Sequence, residues 1–215
     1  MNPTKLIKHV TLPLIFSLNS WGALFSNLDF ESATVVPNDP SGSLDWNLAV
    51  PDWSHSTGDD TARVYHEFPH VGTTQFFLLA DSATSVSPLA GQYSLVLRSG
   101  HQFGNDLSSP WVNAYISQEG SIPVYANSLQ MLAIGSFQVM VDGVNIPMIS
   151  LGGDLYEGDI SQYSGAMAEI KIINSANDFD QSLIVDNITF IIVPEPSSLG
   201  LVLMSAILVI RRRSR

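Results

Sequence analysis

Residues 137–149 have the sequence FQVMVDGVNIPMI, and this stretch decides the fold class. In its first half, large apolar side chains recur at every second position, which is the period of a strand with one buried face. Asp142-Gly143 follows, and this dipeptide favours a two-residue hairpin turn because glycine tolerates positive φ. The stretch therefore predicts a β-hairpin with strands at 137–141 and 144–149.

Similar short runs rich in β-branched and aromatic residues recur throughout residues 23–193, bounded by Gly, Asn, Asp, Ser and Pro. No stretch of that segment keeps a 3.6-residue apolar period for three turns. About ten short strands in one acidic domain predict an all-β fold, a β-sandwich of the jelly-roll type. The remaining predicted strands lie at residues 28–30, 62–66, 74–79, 93–98, 114–118, 128–134, 166–173 and 182–192.

The composition limits the chemistry of this predicted domain. The chain has 215 residues and no cysteine, so no disulfide can stabilise it. Within residues 23–193 the only cations, Arg63, Arg98 and Lys171, are opposed by 19 acidic residues, which gives a formal charge of −16. Such a surface repels nucleic acid and attracts divalent cations. We therefore expect no nucleic-acid partner.

The amino-terminal residues 1–22 have the pattern of a signal peptide. Lys5 and Lys8 precede a mainly apolar stretch, and Ser20 and Gly22 supply the small residues that a signal peptidase requires. Cleavage is expected near Gly22 or Ala23. The alternative is a short first helix of the fold.

The carboxyl-terminal residues 194–215 contain three signals in a fixed order. Pro194-Glu195-Pro196 comes first, and two prolines keep the intervening residue extended. The uncharged residues 197–210 follow, about 21 Å as a helix at roughly 1.5 Å per residue, short for a hydrocarbon core of about 30 Å. The cluster of arginines at the end predicts a cytoplasmic terminus and a short transmembrane helix before it; its members are Arg211, Arg212, Arg213 and Arg215.

This order of signals resembles the PEP-CTERM tail of exopolysaccharide-associated bacterial proteins. The resemblance implies that the protein is exported and held transiently in the inner membrane. It also implies that an exosortase processes residues 194–215, after which the protein reaches the cell envelope or the extracellular space. Extracellular polysaccharide is then a further expected partner, with a role in exopolysaccharide or biofilm organisation. The alternative is a permanently anchored surface protein.

Five short pieces of residues 23–193 belong together: NLDFE at 27–31, PDW at 51–53, GQYSL at 91–95, ISQ at 116–118 and VDNITF at 185–190. They resemble galactose-binding-like and carbohydrate-binding jelly rolls. The resemblance implies a structural calcium ion shared by an acid of the first strand and an aspartate of the last, here Glu31 and Asp186.

The sequence around Asp186 gives an independent reason to examine this carboxylate. Asp186 is in register with Ile184 and Ile188, so strand alternation directs it towards the apolar side. Burying a carboxylate is costly unless a cation or several donors compensate. A calcium site is one solution, and a bulge that turns the side chain outward or a hydrogen-bonded core aspartate are the others.

Three tryptophans, Trp46, Trp53 and Trp111, are candidates for stacking against sugars, although core packing is the alternative because of their large apolar area.

Residues 66–70, HEFPH, match the zinc-protease motif H-E-x-x-H, but Pro69 cannot lie inside the helix that this motif needs. Acidic residues at 154, 157 and 159 follow no calcium-loop spacing. We therefore expect a non-enzymatic structural or carbohydrate-binding module; the alternative is a jelly-roll glycan hydrolase or lyase.

Overall fold

The computed structural model describes residues 23–35, 43–56, 63–66, 75–80, 87–101, 108, 110–175 and 182–193. The predicted signal peptide 1–22 and tail 194–215 lie outside the described residues, and with them the predictions for Pro194, Glu195 and Pro196 and for the four terminal arginines. No helix among the described residues is long and apolar enough to cross a membrane.

Strands dominate the described chain, with one four-residue α-helix and one short 3-10 turn at Ser161–Tyr163. In chain order the elements are β1 Ser43–Asp45, α1 Trp46–Ala49, β2 Ser54–His55, β3 Arg63–His66, β4 Gln75–Ala80, β5 Tyr93–Arg98, β6 Gly100–His101, β7 Trp111–Val112, β8 Tyr115–Ser121, β9 Ala126–Ile134, β10 Phe137–Val141, β11 Val144–Ile146, β12 Met148–Gly152, β13 Leu155–Asp159, β14 Met167–Asn174 and β15 Ser182–Ile192.

The strands form two main sheets. An eight-stranded sheet has the order β1-β3-β4-β5-β15-β9-β13-β12, and a five-stranded sheet has the order β11-β10-β14-β8-β2. Neighbouring strands are antiparallel except for β3 and β4, which are parallel. The short strands β6 and β7 pair with each other.

One hydrophobic core joins the two sheets. Leu97, Leu129 and Val185 of the eight-stranded sheet are fully buried, as are Val139 and Ile172 of the five-stranded sheet, and all belong to one cluster. Each sheet therefore buries one face against the other, the arrangement of a β-sandwich. The prediction of an all-β sandwich is confirmed at this level.

The hairpin predicted from Asp142-Gly143 is confirmed. Both residues have positive φ, 49° and 74°, and Val141 pairs with Val144 across the turn. The predicted strand at 144–149, however, is split at Pro147: β11 belongs to the five-stranded sheet and β12 to the eight-stranded sheet. Proline lacks the N–H group that a strand needs to continue its ladder, so the chain changes sheets there.

The predicted strand at 28–30 was wrong. Residues 28–32 form turns, in which the Phe30 N–H donates to the Asn27 carbonyl at 3.4 Å and both residues have positive φ. Sequence reasoning also missed the small elements β1, α1, β2, β6 and β7, and the strand β13 in a glycine-rich segment. The first five of these elements have two to four residues, which is too short to show a period.

Candidate functional site

Asp186 lies at an irregular point of the central strand β15. Its side chain has no exposed surface. The pairing of β15 with β9 shifts between Asp186 and Thr189, and Asn187 has a φ of 45°, which identifies a β-bulge. The bulge separates Asp186 from the register of Ile188, yet it does not expose the carboxylate. The burial that the sequence predicts is therefore present, and the alternative of an outward-turned Asp186 is wrong.

Three donors of the protein itself satisfy the Asp186 carboxylate. Oδ2 accepts hydrogen bonds from the Ala90 N–H at 2.9 Å and from the Ser94 hydroxyl at 2.6 Å. Oδ1 accepts the Asn187 N–H at 2.6 Å. The Ser94 oxygen in turn accepts the Leu89 N–H at 2.8 Å. Asp186 thus has the contacts of a hydrogen-bonded core aspartate.

Glu31 contacts the same turn from another side. Its Oε1 accepts the N–H groups of Gln92 at 2.7 Å and Tyr93 at 3.0 Å. Gly91 immediately precedes these two donors with a φ of 57°, and a Cβ at this position would lie 2.2 Å from Glu31 Oε1. The turn at 89–94, called here the carboxylate turn, therefore donates to two carboxylates, and glycine is required at its centre.

Burial raises the pKa of the Asp186 carboxyl above its ordinary value of 3.8. The hydrogen bonds from Ser94, Ala90 and Asn187 act in the opposite direction, while the negative charge of Glu31 raises the pKa further. The net effect is a higher pKa. Burial therefore outweighs the three hydrogen bonds and disfavours the charged form of Asp186.

The two carboxylates at the carboxylate turn are ligands that a hard divalent cation prefers, but two are too few to complete its coordination shell. Calcium takes six to eight oxygen ligands, including carboxylates, backbone carbonyls and water. Glu31 and Asp186 supply carboxylates, and the described residues contain no group of three or more His, Cys, Asp or Glu side chains suited to a metal ion. Any cation here would need backbone carbonyls or water for the rest of its shell.

Two of the three predicted sugar-stacking residues are core residues instead. Trp46 is 6% exposed and Trp53 is 3% exposed. The Trp46 indole N–H donates to the Trp53 carbonyl, and the Trp53 indole N–H donates to the Asn27 carbonyl at 3.0 Å. Their rings pack against Phe76 and Phe30, respectively. The sugar-stacking prediction for these two is corrected, because neither presents an accessible face.

Trp111 differs from the other two tryptophans. It is partly exposed on the short strand β7, and its indole N–H donates to the Asn113 side-chain oxygen at 3.2 Å. It remains a candidate for contact with a ligand.

The other acidic and histidine motifs have local explanations. Glu157 on β13 accepts hydrogen bonds from Ser128 and Gln130, and these bonds lower the pKa of its carboxyl. The Asp159 carboxylate accepts the Ser161 N–H at 2.9 Å, which lowers its pKa as well. His66 ends strand β3 rather than lying on a helix, and the rest of the H-E-x-x-H match lies outside the described residues.

A cleft that the sequence analysis missed lies between the sheets near Pro147. Its volume is about 430 Å³, and its lining includes Phe137 of β10 and Tyr156 of β13. The two rings meet edge to face, with centroids 4.8 Å apart and an interplanar angle of 86°. Strand alternation in the sequence places Phe137 on the same face as Val139. Its aromatic partner, Tyr156, lies on β13, a strand that was not predicted.

Comparisons with known proteins show distant structural likeness alone. No protein-family model matches the sequence, and the comparison with curated proteins finds no match. A structure of an apo form cyclase from Fischerella sp. has 11% identity and a TM-score of 0.45, covering 80% of this chain and 96% of that chain. A cyclase from Fischerella sp. TAU has 10% identity and a TM-score of 0.42, covering 78% and 94%. An alpha-L-rhamnosidase from Dictyoglumus thermophilum has 12% identity and a TM-score of 0.26, covering 59% and 15%.

Proposed function

We propose that this chain is an exported β-sandwich module of the cell envelope or extracellular matrix, sorted through its carboxyl-terminal residues 194–215. Signal peptidase removes residues 1–22, the tail holds the protein in the inner membrane, and an exosortase then processes it at Pro194-Glu195-Pro196. The four terminal arginines, Arg211, Arg212, Arg213 and Arg215, fix the tail's orientation. The sandwich is a jelly roll with a structural or polysaccharide-binding role.

The observation that supports this proposal is that described contacts of the sandwich reach Ala23 at one end and Val193 at the other. The last strand, β15, ends at Ile192, and the Val193 N–H donates to the Tyr125 carbonyl at 3.2 Å, one residue before the Pro-Glu-Pro tripeptide. At the other end, the Ala23 carbonyl accepts the Ser121 N–H at 2.7 Å, one residue after the predicted cleavage position. Removal of both segments therefore leaves these described contacts of the sandwich intact.

Glu31 and Asp186, the acid pair at the carboxylate turn, are not arranged as a pair that hydrolyses glycans. Glycan hydrolysis by two carboxylates needs both groups within reach of the substrate. Asp186 has no exposed surface, and Glu31 is engaged with backbone donors. This pair is suited to a structural role, and we propose that calcium binds there and stabilises the exported domain.

Intact-mass analysis of the native protein, combined with cell fractionation, tests the proposal. The extracellular or envelope-bound form should begin near Ala23 and end near Pro194, Glu195 or Pro196. A precursor that still contains residues 197–215 should be found in the inner-membrane fraction. Recovery of an extracellular form that retains those residues would contradict the sorting model, and an intracellular protein with an intact amino terminus would contradict export.

A further inference from the structure

The cleft near Pro147 is a built feature of the sandwich. It lies where the chain leaves β11 of the five-stranded sheet and enters β12 of the eight-stranded sheet. Its apolar lining comes from both sides of this crossover: Val139 and Ile146 are paired neighbours in one sheet, and Met148 begins the edge strand of the other.

Two glycines allow close packing beside this cleft. Gly158 lies opposite Met148 in the β12–β13 pair, and a Cβ on it would lie 2.5 Å from the Met148 sulfur. Gly135 has a φ of 115°, and a Cβ there would lie 2.3 Å from the Ser182 carbonyl oxygen. Glycine at these positions leaves room for the Met148 side chain and for the Ser182 carbonyl.

The charge of the lining contrasts with that of the domain. None of the residues that line the cleft carries a formal charge, whereas residues 23–193 carry a formal charge of −16. The lining combines two aromatic rings with four residues that have hydroxyl or amide side chains, Ser136, Gln138, Asn145 and Ser175. The volume of 430 Å³ is within the range of about 300–1,000 Å³ of small-molecule sites.

We propose that this cleft binds one neutral sugar unit of a glycan. A pyranose has apolar C–H faces that pack on aromatic rings and hydroxyl groups that pair with amides and hydroxyls. An anionic ligand would meet no cation in this lining and would be repelled by the acidic domain. A purely apolar ligand would cover the amide and hydroxyl groups without pairing them, which costs free energy.

This inference rests on the proposed function, because export brings the cleft into contact with extracellular polysaccharide, but its test is independent of sorting. The full-length protein is purified in a zwitterionic detergent without a sugar headgroup. Binding of glucose, galactose and mannose is measured by saturation-transfer NMR and titration, with glucuronate as the anionic counterpart. Unprocessed protein serves equally well, so failure of sorting and failure of sugar binding are distinguishable.

Three variants locate the binding. Asn145→Leu keeps the size of an exposed lining residue and removes its hydrogen-bonding groups. Tyr156→Ala removes one ring of the aromatic pair. Tyr125→Ala removes an exposed tyrosine outside the cleft lining and is the matched control. Tyr156 packs against the core, so its loss can unfold the domain. If Tyr156→Ala does not melt cooperatively, Asn145→Leu alone decides the result.

We expect at least one neutral hexose to bind, and glucuronate to bind about tenfold more weakly or not at all. Asn145→Leu should weaken binding of the neutral hexose about tenfold, which corresponds to about 1.4 kcal/mol. Tyr125→Ala should leave it unchanged. Absence of binding by all three hexoses, unchanged binding in Asn145→Leu, or loss of binding in Tyr125→Ala alone would overturn the proposal.

Discussion

Glu31 and Asp186 accept hydrogen bonds from the same turn, residues 89–94. Asp186 receives the Ala90 N–H, while Glu31 receives the N–H groups of Gln92 and Tyr93. Glu31 belongs to the first described segment of the chain and Asp186 to the central strand β15. The carboxylate turn therefore joins the amino-terminal segment to the middle of the eight-stranded sheet, at the expense of bringing two negative charges together.

Calcium should stabilise the folded protein through this pair. Binding to the native state alone adds about 2.7 kcal/mol to the free energy of unfolding when free ion is at 100 times its dissociation constant. For a domain of this size the melting temperature should rise by roughly 5–10 °C. Calorimetry with calcium and with chelator measures the difference.

The matched variants for this prediction are Glu31→Gln and Glu157→Gln. Glu31→Gln should abolish the calcium-dependent rise, whereas Glu157→Gln should retain it, because Glu157 bonds Ser128 and Gln130 away from the turn. A wild-type melting temperature that does not respond to calcium or chelator would show that the turn is not a calcium site.

The titration of Asp186 should make the free energy of unfolding depend on pH. Because the folded-state pKa is raised above 3.8, the folded state holds a proton more strongly than the unfolded state does. The stabilising contribution of this group is therefore fully present below pH 3.8 and is lost as the pH rises through the folded-state pKa. Urea unfolding of the calcium-free protein, from below pH 3.8 to above the folded-state pKa, should show this loss of stability. The loss should be absent in Asp186→Asn.

The effect of calcium on this pH dependence is a second test of the role of Asp186. A bound cation favours the charged carboxylate and so should lower the pKa of Asp186, moving the loss of stability to lower pH. A wild type and an Asp186→Asn variant with parallel stability curves, with and without calcium, would contradict the assignment of a raised pKa to Asp186.

Replacing Gly91 should be more costly than replacing a glycine of the same backbone conformation elsewhere. Gly91 and Gly153 have φ values of 57° and 59°, but a Cβ on Gly91 would overlap Glu31 Oε1, whereas one on Gly153 meets nothing within 4 Å. Gly153→Ala should cost about 1–2 kcal/mol for the left-handed conformation alone. Gly91→Ala should cost more, because Glu31 must also move and lose its two backbone donors.

Chemical denaturation of both variants, each compared with the wild type, measures these costs. Combining Gly91→Ala with Glu31→Ala separates the two contributions. The double variant should recover the part of the loss that is due to the clash, so that the two changes are not additive. Equal destabilisation by Gly91→Ala and Gly153→Ala would contradict the role of Glu31 at the turn.

Much of the sandwich was predictable because its long strands follow simple rules. The bounds of β5, β10 and β15 were predicted correctly from alternation and their flanking turn residues. The change of sheet at Pro147 was not, since a local pattern shows where a ladder stops but not which sheet the chain joins next. The bulge at Asn187 was likewise invisible, because it depends on pairing with β9.

In the candidate sites, too, local features were predictable and contacts between distant segments were not. The burial of Asp186 was predicted from its position between apolar residues, but its donors Ala90 and Ser94 come from a distant turn that no spacing reveals. The cleft was missed because Phe137 and Tyr156 meet only through the packing of two sheets. The burial of Trp46 and Trp53 follows from a short helix and a turn, which have no periodic signal.

The tail should carry the sorting information independently of the sandwich. Residues 190–192 belong to β15 and Val193 makes a backbone hydrogen bond to Tyr125, so the transferable unit begins at Pro194. Fusing residues 194–215 to an unrelated exported domain should transfer exosortase-dependent processing, detected as a shortened carboxyl terminus by mass spectrometry. Fusing residues 197–215 alone is the matched control and should give a membrane-held, unprocessed product.

Within the native chain, two sets of substitutions separate recognition from retention. Changing Pro194, Glu195 and Pro196 to alanine removes the stiff, extended tripeptide but keeps the apolar segment, so an unprocessed precursor should accumulate in the membrane. Changing the four terminal arginines to serine removes the cytoplasmic charge that fixes orientation, so the membrane-held intermediate should decrease instead. Cells that contain the exosortase and process the alanine variant as efficiently as the parent would show that the tripeptide is not the recognition element.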